Sequence, residues 1–191
     1  LSGQPLDYSL GISQASNLIL GSELSENFST TSDETKSNFK IWIQGDNNDS
    51  NYFEDLDKNL DDLSADKPEV DYKITNDDDA LYIYTSGTTG NPKAATISHK
   101  RLRLMMMGFK GAIQPNKNDR VYNVLPLYHS AGGVIAVGLA LTSGASLVLK
   151  RKFSVNEFWD DVYKYKVTIF QYIGELCRYL LNAPFHKHEK D

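Results

Sequence analysis

Apolar residues recur along the chain in two rhythms, and their alternation predicts the architecture. Short apolar or aromatic runs with the length and composition of strands occur at residues 17–21, 39–43, 80–84, 94–97, 119–125, 146–149 and 167–172. Between them lie stretches whose apolar residues fall on one face of a helix. A short helix near Pro5 opens the chain, and another is expected around residues 24–28. Ser98 is placed to cap a helix carrying Leu102, Leu104, Met105, Met106 and Phe109. A small-residue helix is expected over 134–141. The sequence Ser154-Val155-Asn156-Glu157 reads as a capping box opening a helix with Phe158, Trp159, Val162 and Tyr163, and a last helix covers 175–182, before Pro184. Strands alternating with helices imply an α/β fold with a mainly parallel sheet flanked by helices. No internal repeat or low-complexity linker interrupts the pattern, so one domain is expected over residues 1–191.

Two stretches depart from this rhythm. Residues 46–79 hold 13 Asp or Glu against 3 Lys, a solvated acidic face rather than a calcium loop, which would need glycine and alternating ligands. Within it Phe53, Leu56, Leu60 and Leu63 stand at helical spacing and predict an amphipathic piece. Residues 121–149 carry no Asp, Glu, Lys or Arg, long enough to cross a bilayer, but Pro126, His129 and the break at Thr142-Ser143-Gly144 favour a buried strand-helix-strand. The net charge of −5 argues against nucleic acid as a partner. A single cysteine, Cys177, excludes an internal disulfide and fits a reducing compartment; its helical apolar setting predicts a core residue. His186 and His188, near the end of the sequence, read as a solvated tail.

The densest chemistry lies in residues 82–93, Tyr-Ile-Tyr-Thr-Ser-Gly-Thr-Thr-Gly-Asn-Pro-Lys. A strand runs straight into four hydroxyls (Thr85, Ser86, Thr88, Thr89), two glycines (Gly87, Gly90) and one lysine, Lys93. Hydroxyls, closely approachable backbone amides and a mobile ammonium suit the oxygens of a phosphate chain. The spacing differs from the P-loop of nucleotide triphosphatases, which places four residues between its glycines. His129 is a second candidate, beyond a strand end, where open α/β sheets gather ligands. The ends carrying Thr85, His129 and Gln171-Tyr172 are expected to converge on one crevice.

The run Thr85-Ser86-Gly87-Thr88-Thr89-Gly90-Asn91-Pro92-Lys93 resembles the phosphate-binding signature of the adenylate-forming (AMP-binding) ligases. Leu125-Pro126-Leu127-Tyr128-His129-Ser130-Ala131-Gly132 and the segment from Gln171 to Leu181 are similar to the very-long-chain acyl-CoA synthetase and fatty acid transport protein branch. This resemblance implies a two-step reaction. A fatty carboxylate attacks the α-phosphorus of ATP and releases pyrophosphate; the thiol of coenzyme A then displaces AMP. It implies that Thr85, Ser86, Gly87, Thr88, Thr89, Gly90 and Lys93 hold the β- and γ-phosphates, with Mg²⁺ sharing their charge. No metal ligand is assigned within the chain. His129 matches the active-site histidine, which borders the carboxylate and α-phosphate, and Tyr172, Gly174 and Glu175 match a stretch near the acyl site.

The family also has an adenine-binding stretch, a Thr-Glu motif for Mg²⁺, a ribose-binding Asp and a C-terminal domain with a catalytic lysine. None follows within these residues, so the chain is expected to be part of a large N-terminal domain and incompetent alone. The resemblance leaves open whether the parent is a synthetase, a fatty acid transport protein or a non-catalytic nucleotide-binding module. It also leaves open membrane association and oligomeric state. The expected location is the cytoplasm or the inner face of a membrane.

Overall fold

The computed structural model describes residues 1–46, 53–85 and 92–190. They form two compact units, the first drawn from residues 1–73 and 84–95, the second from 74–83 and 96–191.

In the first unit, helix α1 (Gln4–Ser13) carries Pro5 in its first turn, where a missing N–H is harmless. Strand β1 (Asn17–Gly21) leads through a short 3₁₀ turn into α2 (Ser25–Ser29) and α3 (Asp33–Ser37), and these return the chain to β2 (Lys40–Gln44). The two strands pair in parallel, Leu18 opposite Ile41 and Leu20 opposite Ile43, which requires such a crossover. β3 (Glu54–Asp55) extends the sheet beside β2 and runs into α4 (Leu56–Asp61). Leu20, Phe28 and Ile41 form the core, with Leu10, Leu18, Phe39 and Phe53 packed on it.

The amphipathic piece expected from Phe53 to Leu63 is only partly realised. Phe53 lies 6.3 Å from Phe28, centroid to centroid, but Leu60 and Leu63 are exposed. The helix ends at Asp61, before its turn brings Leu63 onto the face of Phe53.

Strands β4 (Asp79–Thr85) and β5 (Lys93–Ser98) form a two-stranded sheet. Thr85 bonds Lys93 at one end, and His99 N–H donates to Asp78 at the other, so the strands run antiparallel. Ser98 accepts the Arg101 N–H and starts α5 (His99–Ile113), as its sequence predicts.

The core of the second unit is the parallel sheet β7-β6-β8, built from β6 (Arg120–Asn123), β7 (Ser146–Leu149) and β8 (Ile169–Gln171). Alternation sends Val121 and Tyr122 to opposite faces. Val121 packs with Ile135, Ala136, Leu139 and Ala145; Tyr122 packs with Val124, Leu125, Phe158 and Leu176. The first face is covered by a π-helix (Ser130–Ala136) continuing into α6 (Val137–Ser143), the second by α7 (Val155–Tyr165) and α8 (Gly174–Leu181). A sheet covered on both faces needs apolar strands throughout, which explains the charge-free run 121–149 as strand, helix and strand. Among the described residues no helix is long and apolar enough to cross a membrane. Met106 packs on Gly138, where a Cβ would lie 2.4 Å from its Cγ, so at least this methionine is packing material.

Several local expectations are corrected. The helix predicted over 134–141 begins at Ser130, as a π-helix. The Ser154 side chain makes no capping bond, and the Glu157 carboxylate, which a capping box would turn back to the Ser154 N–H, pairs with Lys150 at 3.3 Å. Cys177 is half-buried rather than in the core. His186 and His188 are docked, their Nε2 atoms 3.7 and 3.8 Å from the Asp160 carboxylate, with His188 stacked 4.0 Å from Tyr163.

Candidate functional site

Two places carry the predicted chemistry. The first is the far end of the β4–β5 hairpin. Thr85, the last residue of β4, donates its hydroxyl to the carbonyl of Lys93, the first residue of β5, at 3.2 Å. This bond ties the two chain ends together and leaves both side chains exposed. Tyr84 anchors the same end by donating its hydroxyl to the Ser9 carbonyl at 2.6 Å. Ser86, Gly87, Thr88, Thr89 and Gly90 lie outside the described residues. Among the described residues of this end, the exposed Lys93 ammonium is the donor suited to phosphate oxygens. Among the described residues, no group of three or more His, Cys, Asp or Glu is arranged to hold a metal ion.

The second place is the carboxyl edge of the β7-β6-β8 sheet. β6 and β8 are parallel neighbours with Asn123 opposite Gln171, so the segments that follow them leave from the same edge. After β6 the chain stays buried through Val124 and Leu125, then turns at Pro126, whose carbonyl accepts the His129 N–H at 3.1 Å. His129 caps the π-helix: its Nδ1 accepts the N–H of Ala131 at 3.2 Å, and its carbonyl accepts the N–H of Gly133 at 2.8 Å. The neutral imidazole therefore carries its proton on Nε2. His129 is exposed, and Tyr128 beside it is 83% exposed. π-Helical turns are rare and concentrate at functional sites.

After β8 come exposed Tyr172 and Ile173, then Gly174 and Glu175 in the first turn of α8. Buried Leu176 fixes that turn to the core. Glu175 pairs with Arg178 along its own helix. The structure thus brings His129, Tyr172, Gly174 and Glu175 to one sheet edge, while Thr85 and Lys93 belong to the first unit.

Two features beneath this edge were not anticipated. Asn123 is fully buried; its Oδ1 accepts the Leu125 N–H at 3.1 Å, and its Nδ2 has no hydrogen-bond partner. Such an orphaned donor costs about 1–3 kcal/mol. Its signal in the sequence is a lone polar residue within Val121-Tyr122-Asn123-Val124-Leu125. On the opposite face Tyr122 donates its hydroxyl to buried Asp161 at 2.8 Å, and Lys150 Nζ reaches the same carboxylate oxygen at 2.8 Å. Burial, and then the Asp161 carboxylate, push the Tyr122 hydroxyl above its ordinary pKa. The hydrogen bond to Asp161 likewise raises Lys150. This network joins β6, α7 and the end of β7 beneath the site.

The chain matches the AMP-binding enzyme family over residues 1–191. Long-chain fatty acid transport protein 1 of Homo sapiens is 41% identical over 194 residues, covering 100% of this chain and 30% of that protein. Long-chain fatty acid transport protein 3 of Mus musculus is 53% identical over 114 residues, 60% of this chain and 17% of that protein. The chain spans about 30% of the length of the transport protein 1 relatives it matches from end to end. Among solved structures, the inhibitor-bound N-terminal domain of FACL13 from Mycobacterium tuberculosis superposes with a TM-score of 0.83 at 22% identity, over 96% of this chain and 44% of that one. ATP-bound MatB from Rhodopseudomonas palustris gives a TM-score of 0.76 at 21% identity, over 94% and 34%. At these identities the likeness of the structures concerns the fold.

Proposed function

Because this chain belongs to the AMP-binding enzyme family, we propose that it is part of the large N-terminal domain of an ATP-dependent fatty acid–coenzyme A ligase. The observation that carries this reading is the family match over the whole chain. The exposed His129, held by its own helix cap at a parallel sheet's carboxyl edge, supports it.

In this reading the fatty carboxylate attacks the α-phosphorus, the bond to pyrophosphate breaks, and an acyl-adenylate forms. The coenzyme A sulfur then attacks the acyl carbon, and AMP leaves. Negative charge gathers on the phosphates in the first step, so donors fixed in advance lower its barrier most. Thr85 and Lys93, with Ser86, Gly87, Thr88, Thr89 and Gly90 between them, bind the β- and γ-phosphates; Mg²⁺, when bound, shares their charge. His129 presents Nε2–H toward the reacting oxygens. Tyr172, Gly174 and Glu175 border the acyl chain. Residues 1–191 alone do not turn over.

Fatty-acid-dependent exchange of labelled pyrophosphate into ATP by the full-length protein tests the first step. Absence of exchange across fatty acids of graded chain length defeats the ligase reading, while adenylate formation eliminates a non-catalytic nucleotide-binding module.

The names of the full-length relatives favour a second reading, fatty acid transport. Trapping the acid as its thioester would make the two activities one. Cells expressing the Lys93→Met protein separate them: uptake that persists without ligase activity favours transport alone. Location in the cytoplasm or at the inner face of a membrane suits either reading.

A further inference from the structure

We propose that Asn123, Gly132 and Gly133 are positioning residues that hold the His129 imidazole from below and behind. The proposal deepens the adenylation reading and rests on it.

The argument starts with a residue the core does not need. Positions 121–125 are buried throughout, and among them only Asn123 has an amide side chain, whose Oδ1 accepts and whose Nδ2 donates. With Nδ2 unpartnered, an apolar residue of that size would serve packing better. What Asn123 supplies is an acceptor for the Leu125 N–H at the point where the chain leaves the sheet. Pro126 follows without an N–H, and its carbonyl takes the His129 N–H. A short bonded path thus runs from the sheet to the imidazole.

The opposite side is held by bare backbone. A Cβ on Gly132 would lie 2.4 Å from the Pro126 carbonyl oxygen and 2.6 Å from that of Leu125. One on Gly133 would lie 2.0 Å from the Leu127 carbonyl oxygen. These neighbours are main-chain atoms, so no rotamer change relieves the clash. The π-helix therefore presses its glycines against the turn that Asn123 tethers, and the bonds from Ala131 and Gly133 close the grip around His129. Moving either support moves the ring, and a reacting group must be held within a fraction of an ångström.

The test uses the full-length protein. Asn123→Leu removes the tether and fills the volume; Asn123→Asp keeps size and the acceptor oxygen. In Asn123→Leu, kcat for pyrophosphate exchange falls about tenfold to a hundredfold, while KM for ATP stays within about twofold. Asn123→Asp recovers most of the loss. Imidazole ¹⁵N signals from selectively labelled histidine, assigned with His129→Gln, read the ring directly. His129 shows an unprotonated Nδ1 in the wild type and a changed pattern in Asn123→Leu. Gly133→Ala disturbs the turn from the other side and carries the same expectation should Asn123→Leu fail to fold. An unchanged His129 signal in the folded variant overturns the proposal, as does a changed signal with wild-type kcat or an Asn123→Asp that folds without recovery. A wild-type protein without exchange defeats the adenylation reading instead, and the imidazole signals still decide whether Asn123 holds the ring.

Discussion

His129 accepts the backbone N–H of Ala131 through Nδ1 at 3.2 Å, so one side chain both caps the π-helix and presents its second nitrogen at the sheet edge. The two roles separate by substitution. Asn is a good cap but has no imidazole. His129→Asn should keep the melting temperature near that of the wild type and lower kcat for adenylation about a hundredfold. His129→Ala should lose the activity and, in addition, about 1 kcal/mol of stability. Thermal melts beside pyrophosphate exchange check both, and equal melting of the two variants would refute the capping role.

Lys93 is exposed, and its carbonyl is tied to Thr85. Lys93→Met should raise KM for ATP about tenfold, the loss of one charge-assisted contact to a phosphate, with little change in stability. Steady-state kinetics and melting of the full-length protein check this.

Tyr122 and Lys150 both hold their protons more tightly in the folded chain, through burial beside Asp161 and through its hydrogen bond respectively. The stability they contribute is fully present below about pH 10 and declines above it, as the unfolded chain releases protons that the folded chain keeps. Melting temperature should therefore hold up to about pH 10 and fall as the pH rises above it. The fall should flatten in Tyr122→Phe combined with Lys150→Met.

At the acid end, Asp7 accepts the Ser32 N–H at 2.9 Å and joins α1 to the start of α3. That bond, with the Thr35 hydroxyl, holds its carboxyl below the ordinary value. Its contribution is present above about pH 4 and lost as the pH falls through the folded value. Asp7→Asn should flatten the acid limb of the stability profile, measured by denaturant titration at each pH.

Gly138 has Met106 at the distance of a side chain it lacks. Gly138→Val should destabilise by about 1–3 kcal/mol through overpacking. Met106→Ala should restore part of that loss in the double variant, read as a coupling energy in a double-mutant cycle.

Much of this was legible in the chain. Residues 119–125 and 146–149 read as strands because Val121, Tyr122, Val124 and Leu147 to Leu149 are apolar or β-forming, and β6 and β7 lie there. The Ser98 cap was legible because its partner, the Arg101 N–H, lies three residues away. The Ser154 box is not formed: its side chain makes no capping bond, and the Glu157 carboxylate pairs with Lys150, just after β7, a partner that packing rather than helix spacing supplies.

The candidate site divides along the same line. The order of residues alone determined which groups are available: Thr85 and Lys93 bracketing a hydroxyl-rich loop, His129 after a strand, and Tyr172, Gly174 and Glu175 after another. Only the folded chain decided that β6 and β8 are neighbours, so that His129 and Tyr172 leave one edge, and that Asn123 and the paired glycines grip the turn between sheet and helix. Residue type and short-range spacing set what a side chain can donate or accept. Which partner it meets depends on backbone brought together from distant positions, where a gap of a few tenths of an ångström separates contact from clash.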